Sequence, residues 1–240
     1  MTMSRIDGRA NDQLRPITIT PGYLDFAEGS CLITCGNTRV LCAASVEEKA
    51  PPHVAEGSGW VTAEYSMLPR ANRERSRRDI AKLKLSPRSA EIQRLVGRSL
   101  RACVDMEALG PRTVTIDCDV LQGDGGTRTA SVTGGYVALA LALQKLVKDG
   151  VLDKLPLKTS VAAISAGIVG EQALLDLCYE EDSSAQVDFN CVMTGEGELV
   201  EVQGTGEGRA FTMEEQQTLL KLCAKGLDEI RRLQRDALGF

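Results

Sequence analysis

The sequence predicts an α+β protein, a two-layer α/β arrangement in two portions, on three observations. Strand-like alternation fills the first 45 residues and returns between 161 and 203. Helix-period segments follow each strand block, so the order runs strands, helices, strands, helix. A short Pro/Lys connector, LDKLPLK at 152–158, separates a portion 1–151 from a portion 159–240. With 240 residues, 43% hydrophobic and 25% charged, the chain has a folded protein's composition and enough length to bury a core.

Residues 17–20 alternate, and SCLITCGNTRVLCAASV at 30–46 is two apolar runs joined by Gly-Asn, the chemistry of a tight hairpin turn. The stretch EEKAPPHVAEGSGWVT at 47–62 carries the prolines and glycines of a loop, with His53 read as incidental within it. An arginine-rich segment follows, either a loop or a frayed helix. Ser86 and Pro87 then supply an N-cap and a proline at the first helical position. Beyond them Ile92, Leu95, Val96, Leu100, Cys103 and Val104 recur at three- and four-residue steps.

Residues 113–121 alternate as a strand, with Val114, Ile116, Cys118 and Val120 on one face. A glycine turn leads into SVTGGYVALALALQKLV at 131–147, apolar nearly all round and therefore a core helix. Four strands are expected at 161–169, 173–179, 187–194 and 198–203. Thr212 and Glu215 fit a capping box for a last helix, whose inner face carries Leu219, Leu220, Leu222, Cys223, Leu227, Ile230 and Leu233.

Several classes are disfavoured. No apolar run reaches the roughly 18–20 residues of a membrane helix, and MTMSRIDGRANDQLRP lacks the apolar stretch of a signal peptide. A cytoplasmic protein with no membrane partner is expected. The eight cysteines show no CxxC spacing, and one histidine cannot complete a Cys/His zinc set, so buried free thiols are expected. Net charge is −5, yet eleven of the 28 Lys/Arg fall between 70 and 101 against three of the 33 acids. That segment carries +8 on a body carrying −13. A basic stripe on an acidic body is either a solvated face or a footprint for a polyanion.

Two constellations carry chemistry. In GDGGTR, Gly123, Gly125 and Gly126 permit a sharp turn into a helix N-terminus, where unpaired N–H groups favour an anion. Thr127 adds a hydroxyl and Arg128 a forked guanidinium. These suit a small tetrahedral dianion, and no GK[ST] follows to make a Walker A loop. An ordinary capped turn is the competing reading. In CYEEDSSAQVDFN, Asp188 and Asn190 share one face of a strand, and Asp182 is able to fold back beside them. Two converging carboxylates would suit Mg²⁺ or Mn²⁺, while a solvated hairpin tip needs no ligand.

Five segments in order, IDGRANDQLRPI, SAEIQRLVGRSLR, DCDVLQGDGGTRTAS, CYEEDSSAQVDFN and VEVQGTGEGRAFT, resemble the ribonuclease PH family over essentially the whole chain. The resemblance implies a ribosomal protein S5 domain 2-like unit with a second, smaller α/β portion, assembled as a homohexamer, a trimer of dimers. It implies trimming of transfer RNA precursors from the 3′ end, with inorganic phosphate as co-substrate and nucleoside diphosphates as products. It places phosphate at Arg88, Gly126, Thr127 and Arg128, and catalysis and metal at Asp182 and Asp188. It places RNA contact and ring assembly at Arg70, Arg75 and Arg78. Pro87 departs from the glycine of the family pattern. A non-catalytic RNA-binding ring subunit of exosome type and a metal-dependent hydrolytic exonuclease are the alternatives.

Overall fold

A computed structural model of the chain describes residues 5–78 and 84–239. Asp79 and Lys82 of the basic stretch lie outside them. The first sheet has five strands in the order β1-β2-β3-β5-β4: β1 Ile17–Pro21, β2 Gly29–Cys35, β3 Thr38–Glu47, β4 Trp60–Met67 and β5 Thr113–Gln122. Gly36, at φ +55, makes the β2–β3 hairpin turn with Asn37, as its sequence foretold. All pairings are antiparallel except β4 with β5.

β4 corrects the sequence reading, which placed 47–62 in a loop. Val61, Ala63 and Tyr65 alternate inward and are buried, so a parallel strand begins at Trp60. His53 stacks edge-on against Trp60, 5.1 Å between ring centroids.

Helix α1, Pro87–Ala102, starts as its residues dictate: Ser86 Oγ accepts from the Ser89 N–H at 3.0 Å, and Pro87 opens the helix where a missing N–H costs nothing. A short helix α2 spans Met106–Leu109 before β5. Helix α3, Thr127–Lys148, begins four residues earlier than its apolar run suggested, so the glycine turn runs straight into a helix.

The second sheet has the order β7-β6-β8-β9: β6 Val161–Val169, β7 Gln172–Leu175, β8 Val187–Thr194 and β9 Leu199–Gly206. β7 ends sooner than the alternation predicted. Asp176 takes φ +54, rare for a residue with a side chain, and residues 179–182 form a helical turn, α4 Tyr179–Asp182. Helix α5, Met213–Leu238, carries the foreseen capping box between Thr212 and Glu215.

α3 packs on β2 and β3 of the first sheet and on β6 of the second. It is long and apolar enough to cross a membrane by length and composition, and 78% of that window is buried inside the protein. One apolar cluster accordingly joins Ile33, Val40 and Ile116 to Val161, Ala163 and Val192. A second lies under α5, where Leu14 from the N-terminal segment joins Phe189, Leu219 and Leu227. The eight cysteines are free thiols, seven of them buried, and burial pushes Cys35 and Cys103 up to about 12.

Candidate functional site

The glycine turn is fixed from three directions. Gly125 and Gly126 sit at φ +74 and +67, where a Cβ is strained. A Cβ on Gly125 would lie 2.5 Å from the Leu177 carbonyl oxygen, so only glycine lets the turn press on the segment leading into α4. Thr38 Oγ1 donates to the Gly125 carbonyl at 2.7 Å and accepts from the Asp124 N–H at 2.9 Å. Asp124 in turn accepts from the Tyr179 N–H at 3.3 Å. Sequence-distant elements thus meet at one turn.

Beneath it runs a buried ionic layer. Arg15 donates from Nη2 to Asp176 Oδ1 at 2.6 Å and from Nη1 to the Asp124 carbonyl at 2.5 Å. Arg5 grips Glu181 through two bonds, 2.8 and 2.6 Å, and reaches the Leu175 carbonyl at 2.8 Å. Burial raises the Glu181 carboxyl, but Arg5 outweighs it and leaves it below the usual range. Burial alone would weaken the Arg15 charge, and Asp176 more than restores it.

Above that layer the predicted residues converge. α3 has no side-chain cap at Gly126, so no side chain of the cap residue takes up its first-turn N–H groups. Arg128 donates to Glu91 Oε1 of α1 at 3.2 Å and to Gln203 Oε1 of β9, which holds the guanidinium in place. Thr127 is buried, and its hydroxyl bonds the Tyr65 hydroxyl at 2.9 Å. Arg88 stands exposed in the first turn of α1.

Asp182 ends α4, and Asp188 lies on β8 with Asn190 donating to both its oxygens at 3.2 and 3.3 Å. Surrounding protein raises the Asp182 carboxyl against the pull of Arg88, Arg128 and Arg15. Burial raises Asp188 as well, and the neighbouring charge of Asp182 raises it further, with Arg128 opposing. Arg88, Arg128, Asp182 and Asp188 therefore share one electrostatic site.

Family comparison covers the segments that carry these residues. The family model for the 3′ exoribonuclease family, domain 1, matches 13–143, and that for domain 2 matches 159–226. The chain belongs to the ribonuclease PH family. Proteins named ribonuclease PH from Moorella thermoacetica and Bacillus subtilis are 54% and 55% identical to it. They align over 99% and 98% of this chain and 95% and 97% of theirs. A rice Rrp46 crystal structure shares the fold at TM-score 0.78 and 20% identity, covering 98% of this chain and all of that one. An Archaeoglobus fulgidus exosome with RNA bound to the active site does so at 0.77 and 24%, covering 95% and 92%.

For this ribonuclease PH family member, sequence reasoning missed Arg5, Arg15, Asp176, Tyr65, Glu91 and Gln203. Their signal is tertiary, since Arg15 and Asp176 lie 161 residues apart in the chain. Arg70, Arg75 and Arg78 lie exposed on the segment after β4 and make no ion pair among the described residues. Among the described residues no three His, Cys, Asp or Glu side chains cluster to cage a metal. The Asp182 and Asp188 carboxylates are a hard, oxygen-only pair, which fits a hydrated Mg²⁺ or Mn²⁺ completed by water and ligand phosphates.

Proposed function

We propose that the chain is a phosphorolytic 3′-5′ exoribonuclease that trims the 3′ end of transfer RNA precursors. The observation that carries this reading is Arg128 held by Glu91 and Gln203 beside Thr127 at the uncapped start of α3, with Asp182 and Asp188 within the same electrostatic field. Inorganic phosphate would sit between the Arg88 and Arg128 guanidinium groups and the N–H groups of Gly126, Thr127 and Arg128. The Thr127 hydroxyl, tied to Tyr65, would shape the turn there.

Held in line, a phosphate oxygen attacks the phosphorus of the terminal phosphodiester. The bond to the penultimate 3′ oxygen breaks, and that oxygen takes a proton. Either Asp188, with its raised affinity for a proton, would supply it, or a metal held by both carboxylates would offset the charge on that oxygen instead. The products are a nucleoside diphosphate and an RNA one nucleotide shorter. A Mg²⁺ or Mn²⁺ bound at Asp182 and Asp188 would neutralise charge on the phosphate oxygens. Arg70, Arg75 and Arg78 would meet the RNA backbone and serve assembly of a homohexameric ring, a trimer of dimers.

The test is product analysis with and without orthophosphate. Diphosphates formed only in its presence are expected, and monophosphates formed without it would establish hydrolysis instead. Arg128→Ala should raise the KM for phosphate by about 100-fold while RNA affinity holds. An unchanged phosphate dependence removes Arg128 from the anion site.

A further inference from the structure

Beside the glycine turn lies a cavity of about 390 Å³ lined by Asn72, Arg73, Glu74, Gly123 and Tyr179. That size falls within the roughly 300–1,000 Å³ of small-ligand sites. Aromatic residues make up only 4% of the chain. Tyr65 is buried, and exposed Tyr23 and Phe26 belong to the segment between β1 and β2, leaving Tyr179, 52% exposed, as the open ring at this turn. Its backbone is fixed: the N–H donates to Asp124, the carbonyl accepts from the Ser183 N–H at 2.9 Å, and Gly125 packs against it. Tyr179 also precedes Asp182 by one helical step of three residues, so both look out from one side of α4.

We infer that this cavity seats the base of the RNA's 3′-terminal nucleotide, with the Tyr179 ring as its stacking surface. The inference rests on the phosphorolytic reading above. Glu74 lines the cavity and Glu180 pairs with Arg73 at 2.8 Å, so the surroundings oppose a phosphate and leave a neutral planar group as the fitting occupant. Arg73 stands 5.9 Å from the ring centroid on a side chain 77% exposed, so solvent already surrounds that cation. The terminal nucleotide is the one whose phosphorus the bound phosphate attacks, and Gly123 joins the cavity to that anion site. Every base offers a π-face, so the stacking adds affinity without choosing a sequence.

The experiment compares Tyr179→Ala and Tyr179→Phe with the unaltered chain. The RNAs end in a normal nucleotide, an abasic terminal nucleotide, or a normal one after an abasic penultimate nucleotide. Tyr179→Ala should raise the KM for normal RNA about tenfold with the KM for phosphate and the melting temperature unchanged, and Tyr179→Phe should behave as the unaltered chain. With the terminal base missing, the unaltered chain should fall to the level of Tyr179→Ala and the difference between them vanish. Equal effects of Tyr179→Ala on normal and terminally abasic RNA, or a difference that vanishes only with the penultimate base missing, overturns the assignment. Failure of the unaltered chain to release diphosphate would strike the phosphorolytic reading alone, because the same base dependence is then read from RNA binding.

Discussion

Asp188 sits on a strand between buried neighbours and beside a second carboxylate, and both facts hold its proton to higher pH than a free aspartate does. The folded chain therefore binds that proton more tightly than the unfolded chain. Stability is greatest below the usual carboxylate range and declines as pH rises through the raised native value. Asp188→Asn should accordingly raise the melting temperature at pH 7 by about 2 °C and give no gain below about pH 4. The same change should lower kcat by about 100-fold. Melts at both pH values with turnover assays check this, and a lower melting point at pH 7 would contradict it. Asp188 and Arg128 were legible because short-range patterning marks them: strand alternation beside Asn190, and a cation at the mouth of an apolar helix. Arg5 was not, since its partner Glu181 is 176 residues away and looks, in EED, like one more solvated acid.

Between elements, Arg15 and Asp176 tie the N-terminal segment to the glycine turn and to the exit from β7. Both side chains are nearly fully buried. Removing one charge leaves the other unpaired in the interior, so Asp176→Asn should cost about 3–5 kcal/mol, read from denaturant midpoints, with loss of phosphate turnover. A cost under about 1 kcal/mol would show that the pair does not hold the turn. Elements with periodicity and caps, such as α5 with Thr212 and Glu215, were plain in the sequence. β4 was hidden because WVTAEYSM lies between a Pro/Gly loop and an arginine run. α4 was hidden because four residues are too few to show a helical period, and a left-handed Asp176 interrupts what reads as one strand.

Across the whole molecule, the exposed arginines after β4 set how the chain meets RNA. Replacing Arg70, Arg75 and Arg78 together by alanine should flatten the dependence of log affinity on log salt. The slope should drop by about 0.7 for each phosphate that no longer meets a guanidinium. Binding isotherms at several salt concentrations measure it, and an unaltered slope would move the RNA track elsewhere. α3 bears on a different whole-molecule property, because β2 and β3 rest on one side of it and β6 on the other. Neither half keeps a complete interior once the other is cut away, so heat should melt the chain in a single step. An oxyanion seated on the first turn of that shared helix would then steady both halves against unfolding together.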